Sequence, residues 1–474
     1  MSDASPTSPL AFETTDAFSW SGFAAKLEAF LLKEVEFVEG SLVVSLNARF
    51  GSGKTTFLRM WKNHLDTRRE SDPKTPLCIL LNAWEDDYCG DPLLSLVDAI
   101  EKEITQRSAD PKTNLNLTSV KEATRDLGWF LVGMANSAVS HWTGIDSAAA
   151  GNFAEAKKDK RGQPLTKPDI LEFFQMRKAA LHRLKSALQS LFQDGEKQPV
   201  FVLVDELDRC RPDFAVQYLE TIKHVFEVEG LAFVLAVDLN QLENSARALF
   251  GDGLNFPEYY RKFAHRNIQL PAPDQNGMRN LVTKYTDRYL DDPSPESPRR
   301  KSLLNLENTR RALVELPFDF GLTPRQVQEA FRILGHLTSA CEKKTGDLYY
   351  HIANATIFLT FLSIWKPDLF AELRTGRVSL DRLLEIVSTL PISKNRDWWA
   401  FVLFLCHRAE NDDRREIPTE ATLASFVKYG IVPKGMNAEE FMKKLGSFHP
   451  GGYGRYSSIA DLAKNIQEIE SFAK

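Results

Sequence analysis

The chain has 474 residues, 43% of them hydrophobic and 26% charged, with a formal net charge of -5 from 59 Lys and Arg against 64 Asp and Glu. These values exclude wholesale disorder, collagen-like repetition and a disulfide scaffold, and the acidic balance is poor footing for a protein that lives on phosphate backbones. At roughly 150 residues per domain the length allows about three structural units.

The N-terminal segment MSDASPTSPLAFETTD is polar and slightly acidic. It lacks a basic region followed by an apolar one, so secretion is not expected. Cys78, Cys89, Cys210, Cys341 and Cys406 are dispersed and form no C-x-x-C pair. Neither a zinc site nor a disulfide framework is suggested, and a reducing, cytoplasmic location fits.

The first apolar run, Leu42 to Leu46 (LVVSL), reads as a strand buried on both faces. Directly after it, Ala48-Arg-Phe-Gly-Ser-Gly-Lys-Thr-Thr56 fits G-x-x-x-x-G-K-S/T, except that Ala48 holds the first glycine position. Gly51 and Gly53 let backbone N–H groups turn inward around phosphates. Lys54 brings positive charge to the β- and γ-phosphates, and the Thr55 hydroxyl can coordinate magnesium. Thr56 is expected to begin a helix whose N-terminal dipole favours the same anion. Read alone, GSGKTT could be a flexible loop by chance, but the strand before it and the helical pattern FLRMWKNHL after it favour phosphate binding.

A second strand is expected at Leu77 to Leu81 (LCILL). Thr105 to Pro168 reads as an insertion. Within it Leu127 to Trp142 is apolar, but it carries Asn136, Ser137, Ser140 and His141 and falls short of about 20 apolar residues, so a buried or partner-facing helix is expected rather than a membrane span. The basic cluster at Lys157 to Arg161 reads as a solvated loop. A third strand, Val200 to Val204, ends in Asp205 and Glu206. A carboxylate there can reach magnesium, which assigns Asp205 to the metal, and Glu206 can polarise an attacking water. The structural alternative is an acidic turn after a core strand. Asp208 and Arg209 either join the chemistry, pair with each other or cap the next helix.

The fourth strand, Leu231 to Val237, ends in Asp238, which can sense the γ-phosphate or simply cap the helix LNQLENSARALF. Downstream, YYRKFAHRNIQLP offers Arg261, Lys262 and Arg266 before a short fifth strand, NIQL. Each can supply transition-state charge in cis or across a subunit boundary, a role worth about 10³ to 10⁵ in rate, or can be a solvated basic face. The stretch Asp291 to Lys301 (DDPSPESPRRK) marks a boundary, because its prolines forbid continuous helix or sheet. Beyond it the pattern is helical at Arg325 to Cys341, Ile352 to Trp365 and Trp398 to His407, with Pro324 at a helix start. Arg325, opening that helix, can touch nucleotide from above. No repeat period of 20 to 50 residues is present, so a solenoid is not expected.

These residues together carry a resemblance. The chain resembles the KAP-type P-loop NTPases, a branch of the additional-strand group that includes the AAA+ and STAND proteins. The resemblance rests on FGSGKTTFL, on LLNAWEDD with Asn82 and Trp84, and on VLVDELDRCRP. It continues through YLETIKHVFEVEGLAFVLAVDLNQL, RKFAHRNIQLP and LTPRQVQEAFRIL, and spans roughly Phe18 to Leu334. It implies an extra strand between the phosphate-loop strand and the acidic strand, ATP as nucleotide, and a helical lid. Family members more often have glycine where Ala48 stands, tryptophan where Phe50 stands, and Asp-Asp where Asp205-Glu206 stands. Ala48, Phe50, Gly51, Ser52, Gly53, Lys54, Thr55, Thr56, Asp238 and Arg325 are therefore the expected nucleotide contacts. Lys54, Glu206, Arg261 and Arg266 are the candidate catalytic groups, with Thr55 and Asp205 on the metal. Members often carry transmembrane helices at the place of Thr105 to Pro168, where this chain has one weak apolar stretch, so a soluble variant is expected. Similar prokaryotic proteins are often linked to defence against phage or plasmids.

The expected fold is an α/β, three-layer α/β/α P-loop NTPase core with a parallel sheet, an insertion and a C-terminal α-helical domain. Its parts are residues 1–104 with the phosphate loop, the insertion 105–168, residues 169–290 with the acidic and sensor strands, and a helical lid and partner domain over 291–474. The expected activity is magnesium-dependent ATP hydrolysis driving a conformational switch, with a protein partner or a second copy docking on the helical part. The alternatives are a nucleotide-gated interaction scaffold with little turnover and a motor on nucleic acid. The charge does not support nucleic acid as a partner.

Overall fold

Five strands pair in parallel in the order β2-β3-β4-β1-β5. They are β1 (Leu42–Asn47), β2 (Leu77–Asn82), β3 (Val200–Asp205), β4 (Leu231–Val237) and β5 (Arg266–Gln269). The structure is a computed structural model that describes residues 10–85, 87–108, 119, 120, 122–124, 127, 170–190, 199–290, 307–339, 350–375, 378–390, 396–407, 419–447 and 459–472. The stretch 128–142, the basic cluster at Lys157 to Arg161 and the proline-rich run at Asp291 to Lys301 lie outside the described residues. The chain divides into two compact units, 1–271 and 272–474.

Runs such as LAFVLAV lack polar alternation because both faces of the sheet are covered. Every residue of β3 and β4 is buried, and period-two geometry sends alternate side chains into two separate cores. One core takes Leu42, Val44, Leu46, Phe201, Leu203, Val234 and Ala236. They pack against α2 (Ser21–Glu34), which follows the short α1 (Phe12–Thr15), and against α3 (Lys54–Ser71). Its centre is aromatic: Phe57 lies 5.8 Å from both Trp20 and Trp61, and Trp61 lies 5.8 Å from Phe201. The opposite core takes Val43, Ile79, Leu81, Val202, Val204, Phe233 and Leu235. Those residues meet α4 (Pro92–Ser108), α5 (Ile170–Ser190), α6 (Pro212–Val225) and α7 (Leu239–Phe250). Val120, Ala123 and Leu127, from the expected insertion, join this second core.

β4 lies between β1 and β3, the extra-strand arrangement that the resemblance implies. β5 is offset one residue from the expected NIQL and pairs only with β1, Val44 to Asn47 opposite Arg266 to Gln269. Between β4 and β5 the short helix α8 (Phe256–Tyr260) seats the Tyr260 hydroxyl 2.7 Å from Ser45 Oγ inside the core.

The secondary structure described in the second unit is all helical. It comprises α9 (Gln275–Tyr289), α10 (Glu307–Asp319), α11 (Pro324–Ser339), α12 (Tyr350–Trp365), α13 (Pro367–Arg374), α14 (Leu380–Ser388), α15 (Arg396–His407), α16 (Glu420–Lys428), α17 (Ala438–Ser447) and α18 (Ile459–Phe472). α12 is its central element, apolar all round and buried from Ala353 to Ser363. Its Asn354 Oδ1 accepts the Trp398 indole N–H at 2.7 Å, and its Trp365 stacks on Phe320 at 4.3 Å. Among the described residues no helix is long and apolar enough to cross a membrane.

Candidate functional site

All the parallel strands of the first unit present their C-terminal ends on one side, so loops after β1, β2, β3 and β4 converge there. From β1 the chain passes through Ala48, whose N–H donates to Val237 O at 3.0 Å, and turns at Arg49–Ser52, where the Ser52 N–H donates to Arg49 O at 3.1 Å. Gly51 and Gly53 take φ of +78° and +101°, the left-handed region that L side chains avoid. α3 then begins at Lys54, two residues before the expected start at Thr56, so Lys54 and Thr55 stand in its first turn and Thr56 is exposed. Ser52 Oγ is buried without a hydrogen-bond partner. An unpaired buried hydroxyl in a glycine-bracketed turn at a helix N-terminus is a donor suited to a phosphate oxygen.

The underside of this loop is an indole. Trp20, 2% exposed, donates its Nε1–H to Pro271 O at 3.1 Å. Its Cη2 lies where a side chain on Gly53 would start, 2.8 Å from an ideal Cβ.

Thr55, in the first turn of α3, hydrogen-bonds the carboxylate of Asp205 at the end of β3. Burial pushes the Asp205 carboxyl up, the Thr55 bond opposes this, and the neighbouring charges of Glu206 and Asp208 add to the rise. Magnesium bound through this hydroxyl and carboxylate would complete its shell with phosphate oxygens and water, and so needs no all-protein cage. Accordingly, the absence among the described residues of any group of three or more His, Cys, Asp or Glu able to hold a metal does not conflict with it.

Glu206 follows in a left-handed backbone conformation, φ +62°, which costs a non-glycine residue about 1–2 kcal/mol. Its surroundings hold it there. Its N–H donates to Asp205 Oδ1 at 3.0 Å, and its carbonyl accepts the Arg209 N–H at 3.1 Å. Its carboxylate takes the Asn82 amide at 3.2 Å on Oε2 and Arg209 Nη2 at 2.9 Å on Oε1. Asn82 reaches Glu206 because β2 pairs in register with β3, Asn82 opposite Asp205. The Arg209 guanidinium also lies 4.7 Å over the Phe50 ring and 5.7 Å from that of Trp84. Both rings are about half exposed.

Asp208 and Arg209 do not pair with each other. Asp208 Oδ2 accepts the Lys54 ammonium at 3.2 Å, and Lys54 also donates to Ala48 O at 2.8 Å. The same Asp208 oxygen accepts the Asp238 N–H at 2.7 Å. Asp238 caps the helix that follows it and also bonds the phosphate loop. Its Oδ1 caps α7 through the Asn240 N–H at 3.2 Å, and its Oδ2 accepts the Phe50 N–H of the phosphate loop at 3.0 Å. Burial and then Asp87 push the thiol of Cys210, which follows Arg209, up to about 12.

Ala48, Phe50, Gly51, Ser52, Gly53, Lys54, Thr55, Asp205, Glu206 and Asp238 thus come together. Arg266 pairs instead with Glu34 at 2.7 Å, and Arg261 is exposed at the end of α8. Lys262 stands 5.8 Å from the Tyr259 ring. Arg325 belongs to α11 of the second unit. The sequence reading gave Asn82 no role and left that of Asp208 open. The signal for Asn82 was a polar residue ending an apolar strand. Asp208 offered only its nearness to Glu206.

The chain matches the family described as KAP family P-loop domain over residues 22–340. No curated protein matches it. Similar solved structures include the Aeropyrum pernix ORC2 protein in its ADP form, at 13% identity and a TM-score of 0.34, covering 90% of this chain and 93% of that one. Its ADPNP-ADP complexes give 13% identity, a TM-score of 0.36 and the same coverage. The Aeropyrum pernix ORC1 protein in complex with DNA gives 12% identity and a TM-score of 0.33, covering 96% and 84%.

Proposed function

The chain belongs to the KAP family of P-loop domains, and on that premise we propose that it is a cytosolic ATPase that binds ATP with magnesium, hydrolyses it slowly and uses its nucleotide state as a switch. The observation that carries this reading is the convergence of Lys54, the bonded pair Thr55 and Asp205, and Glu206 at the end of one parallel sheet. Gly51, Ser52, Gly53 and the first turn of α3 would hold the phosphates by backbone N–H groups and the helix dipole. Magnesium, held by Thr55 and Asp205, would neutralise charge developing between the β- and γ-phosphates. Glu206 would orient the attacking water once its carboxylate is released from Asn82 or Arg209. Asp238, bonded to the loop at Phe50, would sense whether the loop is filled. The helical region over 291–474 would act as lid and partner surface. Arg261 or Arg266, in cis or supplied to a neighbouring copy, remain the proposed sources of transition-state charge, and Arg325 a proposed nucleotide contact.

Two variants test the reading. Lys54→Ala should abolish binding of a fluorescent ATP analogue. Glu206→Gln should keep binding while phosphate release falls by at least about 10²-fold. An unchanged rate in the glutamine variant removes Glu206 from its role. One observation favours a second reading, a nucleotide-gated scaffold with negligible turnover: both Glu206 oxygens are already engaged. Phosphate release with and without cell extract separates the two, because a scaffold stays silent in both. The defence role implied by the resemblance predicts that cells carrying Lys54→Ala lose any protection against phage that the intact chain confers.

A further inference from the structure

In this structure Lys54, the phosphate-binding cation, is already spent. Its ammonium and the Asp208 carboxylate are 3.2 Å apart, with side chains only 9% and 4% exposed. A pair so buried is screened little by water or salt. Lys54 cannot give full charge to a phosphate while Asp208 holds it. Asp208 in turn stands in a negative neighbourhood, since its charge and that of Glu206 both act on Asp205. We infer that Asp208 is a competing anion: it pairs with Lys54, sets the affinity for nucleotide by competing with the phosphates for that cation, and passes their arrival to the turn that carries Glu206.

The inference rests on reading the loop as a phosphate site, and two effects give it its direction. Nucleotide binding must break the Lys54–Asp208 pair, so the pair's free energy is subtracted from the affinity. Phosphate also brings charge of the same sign toward Asp208, and like charges oppose each other in a poorly screened site. Removing the carboxylate abolishes both costs together. The coupling follows from the bonds around Asp208. It sits in the short turn Leu207–Arg209, between Glu206 and the Arg209 that pairs with Glu206. Its Oδ2 also accepts the Asp238 N–H, and Asp238 accepts the Phe50 N–H of the loop. When Lys54 leaves, Asp208 keeps the Asp238 N–H and loses its cation. The turn holding Glu206 and Arg209 is thereby loosened at the moment the nucleotide arrives.

The test measures equilibrium affinity for ATP, ADP and adenosine, each with magnesium, on the full chain carrying Asp208→Asn, Asp208→Ser or Asp208→Glu. Near-UV circular dichroism first identifies which variants are folded, so that asparagine or serine can each report alone. The expected result is that Asp208→Asn and Asp208→Ser bind ATP and ADP at least about tenfold more tightly than the unaltered chain, with adenosine, which lacks phosphate, unchanged. Asp208→Glu should return affinity toward the original value, because a carboxylate is restored. A residue that merely supports the turn would weaken nucleotide binding when replaced. Equal or weaker binding in both neutral variants, or equal tightening for adenosine, overturns the inference. If Lys54→Ala binds ATP as well as the unaltered chain, the phosphate-site reading itself falls. If Lys54→Ala loses binding while Asp208→Asn does not tighten it, only the role of Asp208 falls.

Discussion

Gly53→Ala makes a demand on the phosphate loop that can be worked out from two separate quantities. The first is backbone strain. Gly53 has φ +101°, and holding a residue with a Cβ in the left-handed region costs about 1–2 kcal/mol. The second is steric. The new Cβ would lie 2.8 Å from Trp20 Cη2, and the indole has little room to withdraw. Its Nε1–H is bonded to Pro271 O, and its ring is flanked by Phe18 at 4.8 Å and Phe57 at 5.8 Å. Forcing an extra methyl group into such packing costs about 1–3 kcal/mol. The sum predicts a loss of about 2–5 kcal/mol in the stability of the first unit, read by urea unfolding followed through Trp fluorescence. Trp20→Phe removes the clashing atom, so the double variant Gly53→Ala/Trp20→Phe should recover the steric share, about 1–3 kcal/mol of coupling, and none of the backbone share. A Gly53→Ala cost below about 1 kcal/mol with no coupling to Trp20 would show that the loop relaxes freely, and would refute the claim that the indole fixes its shape.

Ser45→Ala should cost about 1–3 kcal/mol, because it strands the buried Tyr260 hydroxyl. Adding Tyr260→Phe should bring the double variant back near the original stability, and thermal unfolding of the three proteins decides it. Asp205 has its carboxyl raised by burial, so protonation favours the folded state. That contribution is full below the ordinary carboxylate value and is lost as pH rises through the raised one. Asp205→Asn should therefore raise the midpoint of thermal unfolding at neutral pH while abolishing the magnesium dependence of nucleotide affinity; a lower midpoint would contradict the assignment. His265 has the opposite sign. Burial, then Lys223, pushes its imidazole down, and its Nδ1 accepts the Val43 N–H at 3.0 Å. Stability from the neutral ring is present above the ordinary imidazole value and lost as pH falls through the lowered one. His265→Gln should flatten that acid limb of a stability–pH profile.

The strand–turn–helix unit was legible in the sequence because it is local. An apolar run, two glycines where the backbone must turn left-handed, a lysine and a threonine lie within one stretch from Leu42 to Thr56. Asp205 and Glu206 were legible for the same reason, as acids ending a strand buried on both faces. The helical character of α11, α12 and α15 was carried by apolar periodicity. What stayed hidden depends on residues far apart in the chain. Asn82 reaches Glu206, 124 positions away, only through the β2–β3 register. Lys54 meets Asp208, 154 positions away. Arg266 goes to Glu34 because β5 is an edge strand whose residues remain partly exposed. Sequence alone therefore determined the local segments: the phosphate loop between strand and helix, and the acids that end the third strand. Only the tertiary structure decided which of them hold one another, because an ion pair forms between charges that the sheet order and register bring within a few ångströms in a poorly screened place, whatever their separation along the chain.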